Sequence, residues 1–239
     1  MMGTSHSASG LLAGVLTAVA LGSHPSDLLV CAAVGAGAAL LPDLDEPGST
    51  VGRSLGRATD GLSRILRAAS CVVYRATGTS YDLRGGSDGG HRHLTHTIPA
   101  VLAFGALGWA LAALGPLGVG LVVFTMSALG LGLVLRPLGR VAAQSAGLVA
   151  VGLGASAVLL PGGAPLLLGA TVAVGALTHI LGDWLTRSGV PLAWPLVHRG
   201  KRWWMFRSPV AFRTGQSRVE DLIRWGCTAG TPVVVFLAA

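Results

Sequence analysis

Six stretches of the chain are apolar for long enough to form membrane-buried helices, and they come in pairs. The first pair covers residues 8–21 and 28–41. The second, 97–114 and 117–135, folds back at Gly115-Pro116, and the third, 145–160 and 166–185, at Pro161-Gly162-Gly163. A helix that crosses a bilayer needs about 20 predominantly apolar residues. The second and third pairs approach that length; the first falls short and reads either as two thin spans or as one re-entrant hairpin. Both geometries return the chain to the side on which it began. A last apolar run, 228–239, is too short to count as a span. The pattern predicts an all-α fold, a polytopic membrane helix bundle of about six transmembrane or re-entrant helices, with residues 1–239 forming a single domain.

Between the first two pairs lies a polar stretch, residues 42–96. Within it, 54–74 sets Leu55, Leu62, Ile65, Leu66 and Val73 against Arg57, Arg64, Arg67 and Arg75. That spacing predicts an amphipathic helix lying on the membrane surface. A second polar stretch, 186–226, follows the last pair. Six crossings then put residues 1–7, 42–96, 136–144 and 186–226 on one face, and 22–27, 115–116 and the loop at Pro161 on the other. All 17 Lys and Arg residues fall on the first face. Positive loops stay inside, so segments 42–96 and 186–226 are expected in the cytoplasm. No Lys or Arg precedes Arg53, so the N-terminus lacks the basic region of a signal peptide.

Composition strengthens this picture. Charged residues make up 11% of the chain and mean hydropathy is +0.66, whereas a soluble domain carries about 25% charged residues. The net charge of +7 sits beside apolar spans, so it reads as topology rather than as a nucleic-acid surface, and membrane lipids are the expected partners. Glycine is abundant, with 36 residues, and lets helices approach closely in lipid; Gly10 and Gly14 have that spacing. Cys31, Cys71 and Cys227 share no metal-type or redox-type spacing and read as small apolar residues.

Candidate chemistry gathers on the charged face. Leu41-Pro42-Asp43-Leu44-Asp45-Glu46 puts three acids in four positions just past an apolar helix, an oxygen-rich turn suited to a divalent cation. His91-Arg92-His93-Leu94-Thr95-His96 stands at the mouth of the third apolar run, with imidazoles for the same cation. His93 is the weakest candidate of the three, Thr95 is placed to cap the next helix, and Arg92 to hold a phosphate. His179 and Asp183 lie four apart, on one face of a helix, and ionisable groups inside an apolar span are functional candidates by default. His6 joins them from the start of the first helix. His24 and His198 read as ordinary polar residues. Arg53 and Arg57 are within reach of an anionic substrate, or of acidic lipid headgroups.

Taken in order, these motifs resemble one family over nearly the whole chain. They are His6, Leu-Pro-Asp-Leu-Asp with Ser49 and Arg53, His91-Arg92-x-x-Thr95-His96, His179-x-x-x-Asp183-x-x-Thr186 with Gly189 and Trp194-Pro195, then Phe212-Arg213-Thr214-Gly215 and Glu220. The family is that of bacterial membrane-bound metal-dependent hydrolases, the LexA-regulated inner-membrane type. Glu46 and Thr97 depart from the usual residues there. More distantly, the His and Asp pattern is similar to zinc-dependent phospholipases C and S1-type nucleases. That likeness implies zinc, more than one ion in those enzymes, and a phosphoester substrate.

The expectation is therefore a hydrolase of the bacterial inner membrane, acting at the cytoplasmic side on a phosphoester of a lipid or lipid-linked compound. Its metal ligands are His6, Asp43, Asp45, His91, His96, His179 and Asp183. Asp45 is the expected proton acceptor, and Arg92 and Arg53 face the substrate. The rival expectations are a transporter and a metal-binding membrane protein without catalysis. Residues 98–135 and 141–178 contain no ionisable side chain, which disfavours passage through the bilayer midplane.

Overall fold

A computed structural model describes residues 1–238 apart from Leu55 and Pro161. Leu55 of the expected surface helix, Pro161 of the expected turn and Ala239 of the last apolar run lie outside the described residues. Among the described residues the chain is all-α, with only isolated β-bridges. The helices are α1 (Gly3–Leu21), α2 (Ser26–Ala38), α3 (Arg57–Thr77), α4 (Ser80–Leu83), α5 (Ile98–Ala112), α6 (Pro116–Val134), α7 (Arg140–Leu159), α8 (Pro165–Trp184) and α9 (Arg218–Ala238). Five segments are long and apolar enough to cross a membrane: α1, α2 with the 3-10 turn that extends it to Asp45, α6, α7 and α8. The sixth, α5, has 15 residues.

The first pair is longer than its apolar runs. Helix α1 begins at Gly3 and takes in Ser5, His6 and Ser7, all fully buried. The Ser7 hydroxyl lies 3.1 Å from the Ala36 carbonyl and 2.9 Å from that of Gly130, so it joins α1, α2 and α6. Both helices of the pair therefore have spanning length. Helix α9 also exceeds its apolar run, because 218–227 add polar turns to it. Its Val234 and Val235 pack beside Val15 and Ala18 of α1.

Helix α2 is the centre of the bundle, with eleven of its thirteen residues buried. It is built from small residues, and its neighbours approach to backbone contact. A Cβ on Gly10 would strike the Gly35 carbonyl, and one on Gly14 the Cys31 carbonyl. A Cβ on Gly37 would strike the Met126 carbonyl of α6, and one on Gly175 the side chain of Ala38. Packing of this kind is how helices associate in lipid, where water exclusion offers no driving force. The larger side chains Val34, Val123, Leu168 and Val172 fill the space between α2, α6 and α8.

On the far face, Asp27 is 1% exposed. Its carboxylate accepts from the backbone N–H groups of Ser23 and His24, both at 3.0 Å, and of Gly163 at 2.8 Å. It thus fastens the α1–α2 loop to the α7–α8 loop. Asp27→Ala would leave these donors without a partner. Thermal melts in detergent should show a loss of about 2–4 kcal/mol, and an unchanged melting temperature would refute the fastening role.

On the opposite face, α3 packs through Thr59, Ser63, Ser70 and Tyr74. Its Leu62, Ile65 and Val72 are exposed, leaving an apolar stripe turned away from the protein, as a helix lying on a bilayer requires. Arg67 bridges Glu46 (2.6 Å) and Asp88 (3.1 Å), tying α3 to the acidic turn and to the loop before His91. Asp82 joins the two polar stretches. Its carboxylate accepts from the N–H groups of Thr79 (2.9 Å), Arg202 (2.9 Å) and Trp203 (3.3 Å). Burial alone would raise its pKa, but these donors outweigh burial and hold it below the ordinary carboxylate range.

Candidate metal centre

Four segments far apart in sequence deliver side chains to one point at the end of the bundle. Pro42 ends α2, since it has no N–H to donate, and opens the 3-10 turn Leu41–Asp45, which carries Asp43 and Asp45. The 3-10 turn Leu94–His96 supplies His96. The last two turns of α8 supply His179 and Asp183, and the start of α1 supplies His6. The helix after His96 is capped by Thr97, whose hydroxyl accepts from the Ala100 N–H at 3.2 Å. The expected cap, Thr95, is engaged elsewhere, because Pro99 in the first turn fixes the start of α5 at Ile98.

Asp43, His96, His179 and Asp183 form a cluster whose ligand atoms all lie within 4.8 Å of one another. From Asp43 Oδ1 the distance is 3.7 Å to His96 Nε2 and 3.5 Å to His179 Nε2. From Asp183 Oδ2 it is 3.6 Å to each of the same nitrogens. A tetrahedral site with arms of ~2.0–2.1 Å has ligand atoms about 3.4 Å apart, so the donors stand near the spacing a single small cation demands. His96 Nε2, His179 Nε2 and Asp183 Oδ2 are buried without a hydrogen-bond partner. Buried polar atoms are costly to leave unsatisfied, and two bare imidazole nitrogens converging with two carboxylate oxygens, of which Asp183 Oδ2 has an ion pair with Arg92, fit a divalent cation. Two nitrogens and two oxygens suit zinc among others.

The partners behind the donors hold the rings in the orientation a ligand needs. His179 Nδ1 is 2.7 Å from the Ala39 carbonyl, which can only accept, so its proton sits on Nδ1 and the Nε2 lone pair faces the cluster. His96 Nδ1 is 3.0 Å from the Thr95 hydroxyl, which donates to Asp45 Oδ2 at 2.6 Å. Imidazole, hydroxyl and carboxylate thus form a relay that orients His96. Burial alone would lower the His96 pKa; the carboxylates of Asp183 and Asp43, with Asp45 behind, outweigh it and raise it. The site draws positive charge.

The other expected residues take different stations. Asp45 is fully buried, and its oxygens are held by His91 Nδ1 (2.7 Å) and Thr95, so it stands behind the cluster and touches the site through those residues. This corrects the expectation of a direct ligand. His91 turns its Nε2 toward Asp43 Oδ1, 3.9 Å away. His6 stacks on the His179 ring with centroids 3.7 Å apart, and its Nε2 lies 3.3 Å from Asp183 Oδ1, which the Met1 amino group also contacts. Arg92 adopts a left-handed backbone (φ 63°) and places Nη1 3.2 Å from both Asp183 Oδ2 and the Thr186 hydroxyl. Arg53 is exposed on the loop before α3, outside the cluster. His93 points away, between Tyr74 and Trp203, with Nδ1 donating to the His91 carbonyl at 2.9 Å; burial holds it below the usual imidazole range.

Access is one-sided. The side chains of His6, His96, His179 and Asp183 are at most 1% exposed, whereas Asp43 is 20%, His91 28% and Arg92 17% exposed. The cluster opens toward Asp43, His91 and Arg92, at the ends of the spanning helices.

Sequence reading missed the roles of Thr95, Asp82 and Asp27. A Thr one residue before His96 was the available signal for the first, and the Thr79-x-x-Asp82 capping box for the local half of the second; the bonds to remote backbone groups at Gly163, Arg202 and Trp203 leave no mark in the sequence.

No curated protein and no solved structure matches the chain. The family model described as YdjM inner membrane protein nevertheless matches residues 1–238, and the chain belongs to that family.

Proposed function

We propose that this inner membrane protein is a metal-dependent hydrolase, cleaving a phosphoester of a lipid or lipid-linked compound at the cytoplasmic face. The observation that carries the reading is the convergence of two orphaned imidazole nitrogens, on His96 and His179, with the carboxylates of Asp43 and Asp183, open on one side next to Arg92. The cytoplasmic assignment follows from the 17 Lys and Arg residues, all on the site's face of the sequence topology. Asp43, His96, His179 and Asp183 would hold a divalent cation, which would supply Lewis-acid polarisation and lower the pKa of a water toward about 7.

The protein's own groups complete the chemistry. His91 Nε2 faces the opening and is placed to take a proton. Asp45, on His91 Nδ1, fixes the tautomer and stabilises the imidazolium that results. The expected proton acceptor thus acts through His91. Arg92 steadies charge that builds on a phosphoryl oxygen, and Arg53 stands on the approach for an anionic substrate. A centre at the helix ends meets a headgroup while the acyl chains stay in the bilayer.

One observation favours a second reading, metal binding without catalysis. Structural sites fill four positions with protein ligands, and three of these four donors are closed to solvent. Detergent-purified, metal-loaded protein separates the two when assayed on phosphomonoesters, phosphodiesters and peptides. The hydrolase reading expects turnover on a phosphoester that falls about 100-fold or more in Arg92→Ala while the metal content is kept. Stoichiometric metal with no turnover on any phosphoester would overturn it in favour of the structural role.

A further inference from the structure

Beyond the metal centre, the segment after α8 builds a second, separate cavity. Val190 pairs with Phe206 through hydrogen bonds of 3.0 and 2.9 Å, and His198 with Lys201 through 2.8 and 3.0 Å. Arg199 (φ 49°) and Gly200 (φ 82°) form the two-residue tip, both left-handed as this tight hairpin turn requires. Both ends of the hairpin are anchored. At its base the Ser208 N–H donates to the Trp184 carbonyl at 2.9 Å, and the Phe212 N–H to that of Leu185 at 3.1 Å. At its tip the Thr79 hydroxyl lies 2.7 Å from the Gly200 carbonyl, and Asp82 takes the N–H groups of Arg202 and Trp203.

Against this hairpin lies a cavity of about 580 Å³ whose lining includes His198, Arg199, Lys201, Trp204, Phe206 and Arg207. That volume is within the ~300–1,000 Å³ of ligand sites. The Arg199 guanidinium stands 5.6 Å over the Trp204 ring. Four other arginines on this face pair with carboxylates: Arg64 with Asp60, Arg67 with Glu46 and Asp88, Arg92 with Asp183, and Arg224 with Asp221. Among the described residues, Arg199, Lys201 and Arg207 have no carboxylate within ion-pair distance. Three cations share one cavity without a counter-charge.

The anchoring of the hairpin and its exposed apolar side chains narrow the occupant. The hairpin base is bonded to the last turn of a spanning helix at Ser208, next to Arg207, so that end of the cavity adjoins the helix terminus, where lipid headgroups lie. Leu196 and Val197, just before His198 in sequence, and Val210, three residues after Arg207, are 70%, 54% and 79% exposed. A soluble anion has no use for exposed apolar side chains, whereas a lipid joins a phosphate to hydrocarbon. We infer that this cavity binds the phosphate headgroup of an anionic phospholipid, with Arg199, Lys201 and Arg207 as its cations and Trp204 as its aromatic wall. The site uses no residue of the metal cluster and stands whether or not that cluster is catalytic.

Native mass spectrometry of the full chain tests this. In micelles containing equal phosphatidylglycerol and phosphatidylcholine of matched chains, the protein should preferentially retain one phosphatidylglycerol. The double variant Arg199→Gln, Arg207→Gln removes two exposed cations and should bind it about thirtyfold more weakly. Arg64→Gln, which loses only an exposed pair with Asp60, should retain it as wild type does. Matching melting curves in phosphatidylcholine alone show that the double variant is folded. Equal retention of both lipids, or undiminished retention by the folded double variant, overturns the assignment. So does a site that takes inorganic phosphate but shows no preference between the lipids.

Discussion

His179→Ala and Asp183→Ala should each lower metal affinity by at least about 100-fold, since losing even an outer partner of a metal ligand costs 10–100-fold. Each removes one of four donors spaced 3.5–3.7 Å apart along the measured edges. Asp183→Ala also strips the carboxylate contacted by Arg92 and His6. Protein equilibrated at fixed free zinc and analysed by mass spectrometry of the metal should show near-stoichiometric zinc in the wild type and little in either variant. Thr95→Ala leaves all four donors in place but cuts the relay from His96 to Asp45, so its loss should be intermediate, about 10–100-fold. His198→Ala, outside the cluster, should keep its metal. Metal bound by the wild type should also raise its melting temperature, because a ligand at 100 times its dissociation constant adds about 2.7 kcal/mol. Undiminished zinc in both ligand variants would remove the cluster as the binding site.

How far the sequence foretold this centre depends on where each residue's partners lie. His179 and Asp183 were legible because a helix of known period brings residues four apart to one face. Asp43 and His96 were legible as members of the cluster because hydropathy put their segments at the same end of the bundle; His6, from the same end, packs on the His179 ring beside it. Asp45 was misplaced: two carboxylates in one turn look alike until the turn's geometry sends Asp43 inward and Asp45 back toward His91 and Thr95. The long-range roles of Asp27 and Asp82 were illegible because there they bind backbone N–H groups 136 and 120 residues away, at Gly163 and Arg202, and remote backbone donors carry no mark in the sequence. The helices followed their apolar runs where the run was pure, as in α6. They outran them in α1 and α9, where polar residues find partners inside the protein. Ser7 bonds across three helices, and Glu220 takes the N–H groups of Met2 and of Gly215, the latter at 2.6 Å.

The same logic makes the small residues of α2 the strongest test of the fold. Gly37→Val would drive its side chain into the Met126 carbonyl of α6, and Gly14→Val into the Cys31 carbonyl. Neither obstacle is a flexible side chain, so the helices must part. Overpacking of a buried contact costs roughly 3 kcal/mol or more when backbone has to move, a drop of about 10 °C for a chain of this size. Separation should also reach the metal centre, because Asp43 is carried on the turn that follows α2 while its partners ride on α8 and on the 3-10 turn before α5. A shift of the order of an ångström in α2 alone pulls one donor out of a set whose spacing fits a single cation. Gly37→Val is therefore expected to melt early and to bind zinc weakly, although it changes no ligand. Gly147→Ala in α7 supplies the contrast, since an added Cβ there meets nothing within 4 Å. Helix propensity favours alanine by up to about 1 kcal/mol, so that variant should melt no lower than wild type and keep its metal. If Gly37→Val melted and bound zinc as wild type does, close packing of α2 would not be what positions Asp43.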